Sequence, residues 1–154
     1  MKQAPGQVTA TRRLEWDSMH RQPGHEGKCR AYHGHRYVAE LTCAAPSLDQ
    51  VGRVIDFGKI KELVGTWIDD NWDHTAILMR GDPDPATQAI VAANERVGRP
   101  AYLMEGPPSA ENIAIELATI ASDLLKSVEI QLISARVWET PNCFATWEAP
   151  SNSR

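Results

Sequence analysis

The sequence predicts an α+β protein in which an antiparallel sheet carries helices on one face. Two observations support this class. Runs of alternating apolar and polar residues lie near both ends of the chain, a pattern typical of strands. Two segments between them have apolar residues at three- and four-residue spacing, which is typical of amphipathic helices. Paired strands separated by helices favour an antiparallel sheet over the alternating strand–helix order of a parallel one.

The first predicted pair of strands forms a hairpin near the N-terminus. One strand covers residues up to about 20 and the other residues from about 32 to 45, with a polar loop between them. Pro46 ends the second strand, because proline cannot continue a central strand. An amphipathic helix follows, with Asp56 as its N-cap. Its apolar stripe consists of Ile60, Leu63, Val64, Trp67 and Ile68.

The remaining predicted elements complete the chain. In order, they are a turn-rich connection at 81–85, a weaker helix at 89–97, a short strand at 100–104, a helix from about 110 to 124, and strands at 128–140 and 143–147. Ser109 is the predicted N-cap of the second clear helix, and Glu111 suits the positive charge of its first turn. The chain has no internal repeat, and residues 1–154 are expected to form a single domain.

Length, charge and cysteine content narrow the classes of function. The chain has 154 residues and a formal net charge of −4, which argues against general binding to nucleic acid or to an anionic membrane. No signal peptide is recognisable, and no segment has the apolar length needed to cross a bilayer. Three cysteines without framework spacing fit a reducing compartment, so a cytoplasmic protein is expected.

A His-Gly-His sequence at the start of the second strand is the first candidate site. Residues two apart in a strand point to the same face, so His33 and His35 converge. His20 ends the preceding strand, and a hairpin would bring it beside this pair. Three imidazoles and an open position are typical of catalytic zinc, whereas structural zinc usually has four protein ligands. Cys29 is available as a fourth ligand, which would close the site. The simpler alternative to a metal site is that His33 and His35 are ordinary surface histidines.

An Asp-His pair and a glutamate are further candidate functional groups. Asp73 and His74 are adjacent, as in an acid–base pair whose carboxylate orients the imidazole. A capping role at the helix end is the alternative. Glu139 lies at a strand end beside a turn, where carboxylates that bind ligands are often presented. The spacing alone does not decide between these roles.

Five stretches of the chain, in their order and spacing, resemble the 6-pyruvoyltetrahydropterin synthase and 6-carboxytetrahydropterin synthase family. They are residues 16–20, 29–37, 52–57, 73–74 and 139–140. Three residues separate Cys29 from His33, as in the bacterial 6-carboxytetrahydropterin synthases, whereas the animal pyruvoyl enzymes have a longer gap. The resemblance spans about residues 8–148. It favours the carboxy-forming branch, which feeds 7-deazaguanine (queuosine) synthesis.

The resemblance implies a fold and an assembly. The family has the tunnelling fold, in which the four-stranded antiparallel sheets of several subunits join in a barrel. A homo-oligomer, either a hexamer or a tetramer, is therefore expected. Active sites in the family lie between neighbouring subunits, so the Asp73–His74 pair is expected to serve a partner's pocket.

The resemblance also implies roles for individual residues. Zn²⁺ would be bound by His20, His33 and His35. Cys29 would transfer protons, with Asp73 and His74 as its acid–base partners. Glu139 would hold the pterin substrate through the amino and ring N–H groups of the pterin. The implied reaction converts 7,8-dihydroneopterin triphosphate to 6-carboxy-5,6,7,8-tetrahydropterin, with release of acetaldehyde and triphosphate.

Two alternatives remain open on the sequence. One is triphosphate elimination of the 6-pyruvoyltetrahydropterin synthase type on the same fold. The other is a non-catalytic pterin-binding module in which Cys29 closes a four-ligand structural zinc site.

Overall fold

The structure is a computed structural model that describes residues 6–150. Residues 1–5 and 151–154, which the single-domain prediction includes, lie outside this described part. Within it, the strands are β1 (Ala10–His20), β2 (His33–Ala44), β3 (Thr75–Met79), β4 (Tyr102–Met104), β5 (Gln131–Thr140) and β6 (Cys143–Glu148). The α-helices are α1 (Phe57–Ile60), α2 (Thr66–Asn71), α3 (Pro85–Arg96) and α4 (Ala110–Lys126). A 3₁₀ turn, Lys28–Arg30, lies between β1 and β2, and a π-helical turn, Lys61–Gly65, joins α1 to α2.

The strands form one sheet in the order β4-β3-β1-β2-β5-β6. Neighbours are antiparallel from β1 through β2 and β5 to β6. In contrast, β3 pairs in parallel with both β1 and β4. The α+β class is therefore confirmed, but the prediction of a four-stranded, wholly antiparallel sheet is wrong. Within residues 6–150 the sheet has six strands and is mixed.

The missed strand, β3, shows why the sheet was predicted too small. Thr75–Met79 is a run of buried and half-buried residues that lacks the alternation of a strand with one solvated face. Short unbroken apolar runs cannot be told from helical segments by periodicity, and this run directly follows a helix. β4 corresponds to the short strand predicted at 100–104, and it pairs with β3.

The β1–β2 hairpin is the part of the fold that positions the histidines. Its register pairs His20 with His33 and Ser18 with His35. Both strands lie within about two residues of their predicted bounds, which confirms the N-terminal hairpin. Because side chains alternate across a strand, the three histidines point to the face on which the helices pack.

A hydrophobic core lies between this face of the sheet and the helices. Its largest fully buried residues are Trp16, Trp72, Tyr37, Leu41, Ile60, Ile68, Ile77, Ile113, Leu117 and Leu125. Two helix starts are confirmed: the Asp56 carboxylate accepts from the N–H of Gly58 at 2.7 Å, and the Ser109 hydroxyl accepts from the N–H of Asn112 at 3.3 Å. α3 packs beside β3. Among residues 6–150, no helix combines the length and apolar character needed to cross a membrane.

The last hairpin begins later than predicted. β5 starts at Gln131, about three residues after the predicted start, because α4 continues to Lys126 and a turn follows it. Glu129 in this turn has φ +58°, a left-handed conformation that is incompatible with a strand. The alternating pattern of residues 128–132 therefore covers the end of a turn as well as the start of β5.

Candidate functional site

The structure brings His20, His33 and His35 together on one face of the hairpin. One nitrogen of each of these rings lies within 4.8 Å of the others, and the Nε2 atoms of His20 and His33 are 3.1 Å apart. His20 is fully buried, whereas the other two are half-buried. The 3.1 Å separation is close to the roughly 3.3 Å between nitrogens around a tetrahedral ion with metal–nitrogen bonds of about 2.0–2.1 Å.

Backbone carbonyls orient two of the three rings. The Nδ1 atom of His20 lies 2.7 Å from the carbonyl oxygen of Pro108, and the Nδ1 atom of His33 lies 2.8 Å from that of Ala31. Because a carbonyl oxygen can only accept, each Nδ1 carries the hydrogen and donates it. The Nε2 lone pairs are therefore free, which is the tautomer that a metal ligand needs.

Burial favours the neutral form of His20 and His35. Desolvation lowers the pKa of His20 from its ordinary 6.5 to about 4, against the raising effect of the Pro108 carbonyl. Desolvation also lowers the pKa of His35, although the nearby carboxylate of Glu139 opposes the shift. A neutral imidazole is the form that binds a metal ion.

Two buried polar atoms that lack hydrogen-bond partners indicate whether the site fits a cation. The Nε2 atom of His35 and the Oε1 atom of Glu139 are buried and have no hydrogen-bond partner among residues 6–150. Oε1 lies 3.4 Å from Nε2 of His20 and 3.8 Å from Nε2 of His35. Leaving buried polar atoms unpaired is costly. A divalent cation bound by the three imidazoles would satisfy His35 and attract the carboxylate, so the donor set fits Zn²⁺.

Tyr37 lies beside this cluster, with its ring centroid 5.7 Å from that of His20 and 5.5 Å from that of His35. Burial raises the pKa of Tyr37 well above its ordinary value, and the charges of Glu139 and Cys29 raise it further. Cys29 is half-buried in the 3₁₀ turn that precedes β2. The set of donor atoms within 4.8 Å of one another contains the three histidines but not Cys29. Cys29 therefore lies outside the candidate ligand set.

Asp73 and His74 lie on the other face of the sheet. Donor atoms of Asp17, Asp73 and His74 lie within 4.8 Å of one another, and Asp17 alternates along β1 with the inward-pointing Ser18 and His20. The Oδ2 atom of Asp73 accepts from Nδ1 of His74 at 2.6 Å, so Nε2 of His74 points away from the carboxylate. The His74 side chain is 71% exposed. Within one chain, the structure therefore does not bring this pair to the three histidines.

The backbone around Asp73 holds the pair rigidly. Oδ1 of Asp73 accepts from the N–H of Asp17 at 2.9 Å, and the N–H of His74 donates to the Asp17 carbonyl at 2.7 Å. Burial alone would raise the pKa of Asp73, but these hydrogen bonds and the charge of Arg99 lower it below its ordinary value. His74 has φ +56°, a conformation that is strained for a non-glycine residue. Such strain is typical of functional sites, whereas neither side chain acts as a helix cap.

Sequence reasoning missed two groups that build the site. Tyr37 continues the two-residue spacing of His33 and His35, so strand periodicity could have placed its ring on the same face. Its hydroxyl is buried without a partner among the described residues. No sequence pattern could have identified the Pro108 carbonyl as a partner of His20, because every residue has a backbone carbonyl.

The chain is similar to known proteins in both sequence and structure. The sequence model of the family described as 6-pyruvoyl tetrahydropterin synthase matches residues 9–150. Proteins named 6-carboxy-5,6,7,8-tetrahydropterin synthase from Rickettsia bellii and Rickettsia conorii are 41% and 43% identical to the chain over 138 residues. These alignments cover 89% of this chain and 97% of each relative.

Two solved structures share the fold. An uncharacterized protein from Wolinella succinogenes superposes with a TM-score of 0.78 at 20% identity, over 92% of this chain and 97% of that one. The 6-pyruvoyl tetrahydropterin synthase of Caenorhabditis elegans superposes with a TM-score of 0.65 at 22% identity, over 92% and 95% of the two chains.

Proposed function

The chain belongs to the 6-pyruvoyl tetrahydropterin synthase family, and we propose that it is a 6-carboxy-5,6,7,8-tetrahydropterin synthase. In this proposal it converts 7,8-dihydroneopterin triphosphate to 6-carboxy-5,6,7,8-tetrahydropterin with release of acetaldehyde and triphosphate. The reaction would belong to 7-deazaguanine (queuosine) biosynthesis. Support comes from the names of relatives above 40% identity and from the three-residue gap between Cys29 and His33.

One observation carries the proposal that the site is catalytic. Three imidazoles converge beside Glu139, and Cys29 lies outside their donor set. A site with three protein ligands and an open position is the catalytic type of zinc site. When bound there, Zn²⁺ would supply a positive charge that polarises substrate oxygens. The closed four-ligand alternative would require the Cys29 sulfur to move into this donor set.

The remaining residues have roles that follow from their chemistry. Glu139 is a carboxylate with a buried oxygen that lacks a hydrogen-bond donor among the described residues. In the proposal it accepts from the amino and ring N–H groups of the pterin, a donor pair that a carboxylate matches in geometry. The Cys29 thiol would transfer a proton to or from the substrate side chain.

The proposal requires a second copy of the chain. The Asp73–His74 pair lies with Asp17 in a cluster separate from the three histidines of its own chain, and the His74 side chain is 71% exposed. A neighbouring subunit that covered this groove could bring its own Cys29 to His74. We therefore propose a homo-oligomer, a hexamer or tetramer, in which each active site takes Cys29 from one subunit and Asp73–His74 from another.

Product analysis tests the reaction. The purified protein is incubated with 7,8-dihydroneopterin triphosphate, with and without a chelator, and the pterin product is identified by mass. Formation of 6-carboxytetrahydropterin and acetaldehyde that is lost on chelation and restored by Zn²⁺ is the expected result. A 6-pyruvoyl product without acetaldehyde would instead assign triphosphate elimination alone. Binding of the pterin without turnover in the zinc-loaded protein would contradict an enzymatic role.

A further inference from the structure

We propose that Arg21 is a positioning residue that holds the loop carrying Cys29 against the body of the protein. It acts through a cluster that we name the Arg21–Asp82 clamp, formed by Arg21, Tyr32, Asp82 and Thr87. The inference rests on the proposed function, because it assumes that Cys29 must be held near the substrate.

Arg21 makes the central contacts of the clamp. Its Nε and Nη2 atoms donate to the two carboxylate oxygens of Asp82 at 2.6 and 2.8 Å. Its Nη1 atom donates to the carbonyl oxygen of Arg30 and to the Asp84 carboxylate, both at 3.1 Å. One guanidinium therefore joins the start of the loop, the residue directly after Cys29, and the connection between β3 and α3.

Tyr32 and Thr87 form a second link to the same carboxylate. The Thr87 hydroxyl donates to Oδ2 of Asp82 at 2.8 Å. Because its hydrogen is used there, the Tyr32 hydroxyl, 2.7 Å away, donates to Thr87. The guanidinium of Arg21 also lies over the Tyr32 ring, 5.3 Å from its centroid. Tyr32 directly precedes His33, so the clamp holds both ends of the loop between two proposed metal ligands.

The loop has little else to hold it in place. None of residues 21–32, all of which are described, is buried in the hydrophobic core. Its internal hydrogen bonds include that from the N–H of Gln22 to the carbonyl oxygen of Cys29, at 2.8 Å. Such bonds shape the loop but do not fix it relative to the sheet. The contacts of Arg21 and Tyr32 with Asp82 and Thr87 supply that attachment.

The burial of the clamp favours positioning over stabilisation. The Asp82 side chain is fully buried, and that of Arg21 is only 12% exposed. Burial would raise the pKa of Asp82, but hydrogen bonds from Arg21, Thr87 and the backbone lower it below its ordinary value. Desolvation offsets much of the attraction in a buried ion pair, so such pairs are weak contributors to stability. They do fix geometry, because a bidentate arginine–carboxylate pair is directional.

The test uses Asp82→Asn, which keeps the shape of the side chain and removes its charge. Thr87→Val removes the hydroxyl link, and Thr87→Ser keeps it. The matched control is Glu105→Gln, which removes another arginine–carboxylate pair, with Arg80 at 2.7 Å, that is exposed to solvent. Readouts are zinc per chain, kcat and KM, and the rate at which iodoacetamide alkylates Cys29 in the zinc-loaded protein. Cys143, which is exposed, is the internal reference in peptide mass spectrometry.

We expect Asp82→Asn and Thr87→Val to lower kcat by about 10- to 100-fold, since small misplacements of reacting groups cost this much. Zinc content should be unchanged. Alkylation of Cys29 relative to Cys143 should rise by about threefold or more as the loop detaches and the thiol becomes accessible. Thr87→Ser and Glu105→Gln should behave like the wild type.

Several results would overturn the inference. They are an unchanged alkylation ratio in both clamp variants, a loss of zinc that accounts for the loss of kcat, or an equal effect of Glu105→Gln. Failure of the proposed function would look different. If Cys29→Ala kept full activity, the role of Cys29 would be wrong, whereas the alkylation ratio would still report whether the clamp holds the loop.

Discussion

His20 and Pro108 are 88 residues apart in the sequence, yet Nδ1 of His20 donates to the Pro108 carbonyl at 2.7 Å. The contact joins the end of β1 to the segment that leads into α4. It selects the tautomer whose Nε2 atom faces His33 and Glu139. The geometry of the histidine cluster therefore depends on the packing of α4 as well as on the hairpin that carries the three histidines.

The first prediction concerns metal binding. His35→Ala should lower Zn²⁺ affinity by more than about 100-fold, because loss of a direct ligand exceeds the 10–100-fold cost of losing an orienting partner. The control is His25→Ala, since Nδ1 of His25 accepts from the N–H of Gly27 within the loop and His25 lies outside the donor cluster. Competition with a chromophoric chelator measures both affinities. Equal affinities for the two variants would contradict the proposed ligand set.

The second prediction concerns pH. The pKa of His20 is lowered from 6.5 to about 4, so below pH 6.5 the unfolded chain takes up this proton before the folded one. The contribution of neutral, buried His20 to the free energy of unfolding is therefore fully present above pH 6.5. It is lost as the pH falls towards 4. From pH 7 to pH 5 the loss is about 2 kcal/mol, at 1.36 kcal/mol per pKa unit.

Urea unfolding of the metal-free protein at pH 7 and pH 5 measures this loss. The His20→Gln variant should lack it and so be less sensitive to acid than the wild type. His35, whose pKa is also lowered, should contribute in the same direction. An equal dependence on pH in the wild type and in His20→Gln would contradict the assignment.

The third prediction concerns Cys29. Cys29→Ala should lower kcat by at least about 10²- to 10⁴-fold, the usual contribution of general acid–base catalysis. Zinc content should remain that of the wild type, because the sulfur lies outside the donor cluster. Cys143→Ala removes an exposed thiol and is the control that should keep full activity. Loss of zinc from Cys29→Ala would instead support a four-ligand structural site.

The predictable parts of this site depend on local periodicity. His33 and His35 are two apart in a strand, and a short hairpin places His20 opposite His33. Both relationships follow from the alternation of side chains. The roles proposed for Cys29 and Glu139 come from the family resemblance, because the alternation of side chains does not indicate them.

The parts that could not be predicted depend on contacts between distant segments. The Arg21–Asp82 ion pair joins residues 61 positions apart, and no spacing rule connects them. β3 was missed because its short run of buried residues lacks the alternation that marks a half-buried strand. Its position between β1 and β4 determines where Asp73 and His74 lie. Local sequence patterns therefore could not predict on which face of the sheet that pair lies.

The last prediction tests whether the active site is shared between subunits. Cys29→Ala and His74→Ala should each be inactive alone. When the two variants are unfolded together and refolded as mixed oligomers, some sites combine an intact Cys29 from one subunit with an intact His74 from another.

Random mixing at equal amounts makes about one quarter of the sites intact, because each of the two contributions is intact with a probability of about one half. Recovery of about one quarter of wild-type kcat, measured against each variant refolded alone, is therefore expected. If both residues acted within one chain, no mixed oligomer would contain an intact site, and activity would not recover. The 71% exposure of the His74 side chain, in a cluster separate from the three histidines, favours the shared arrangement.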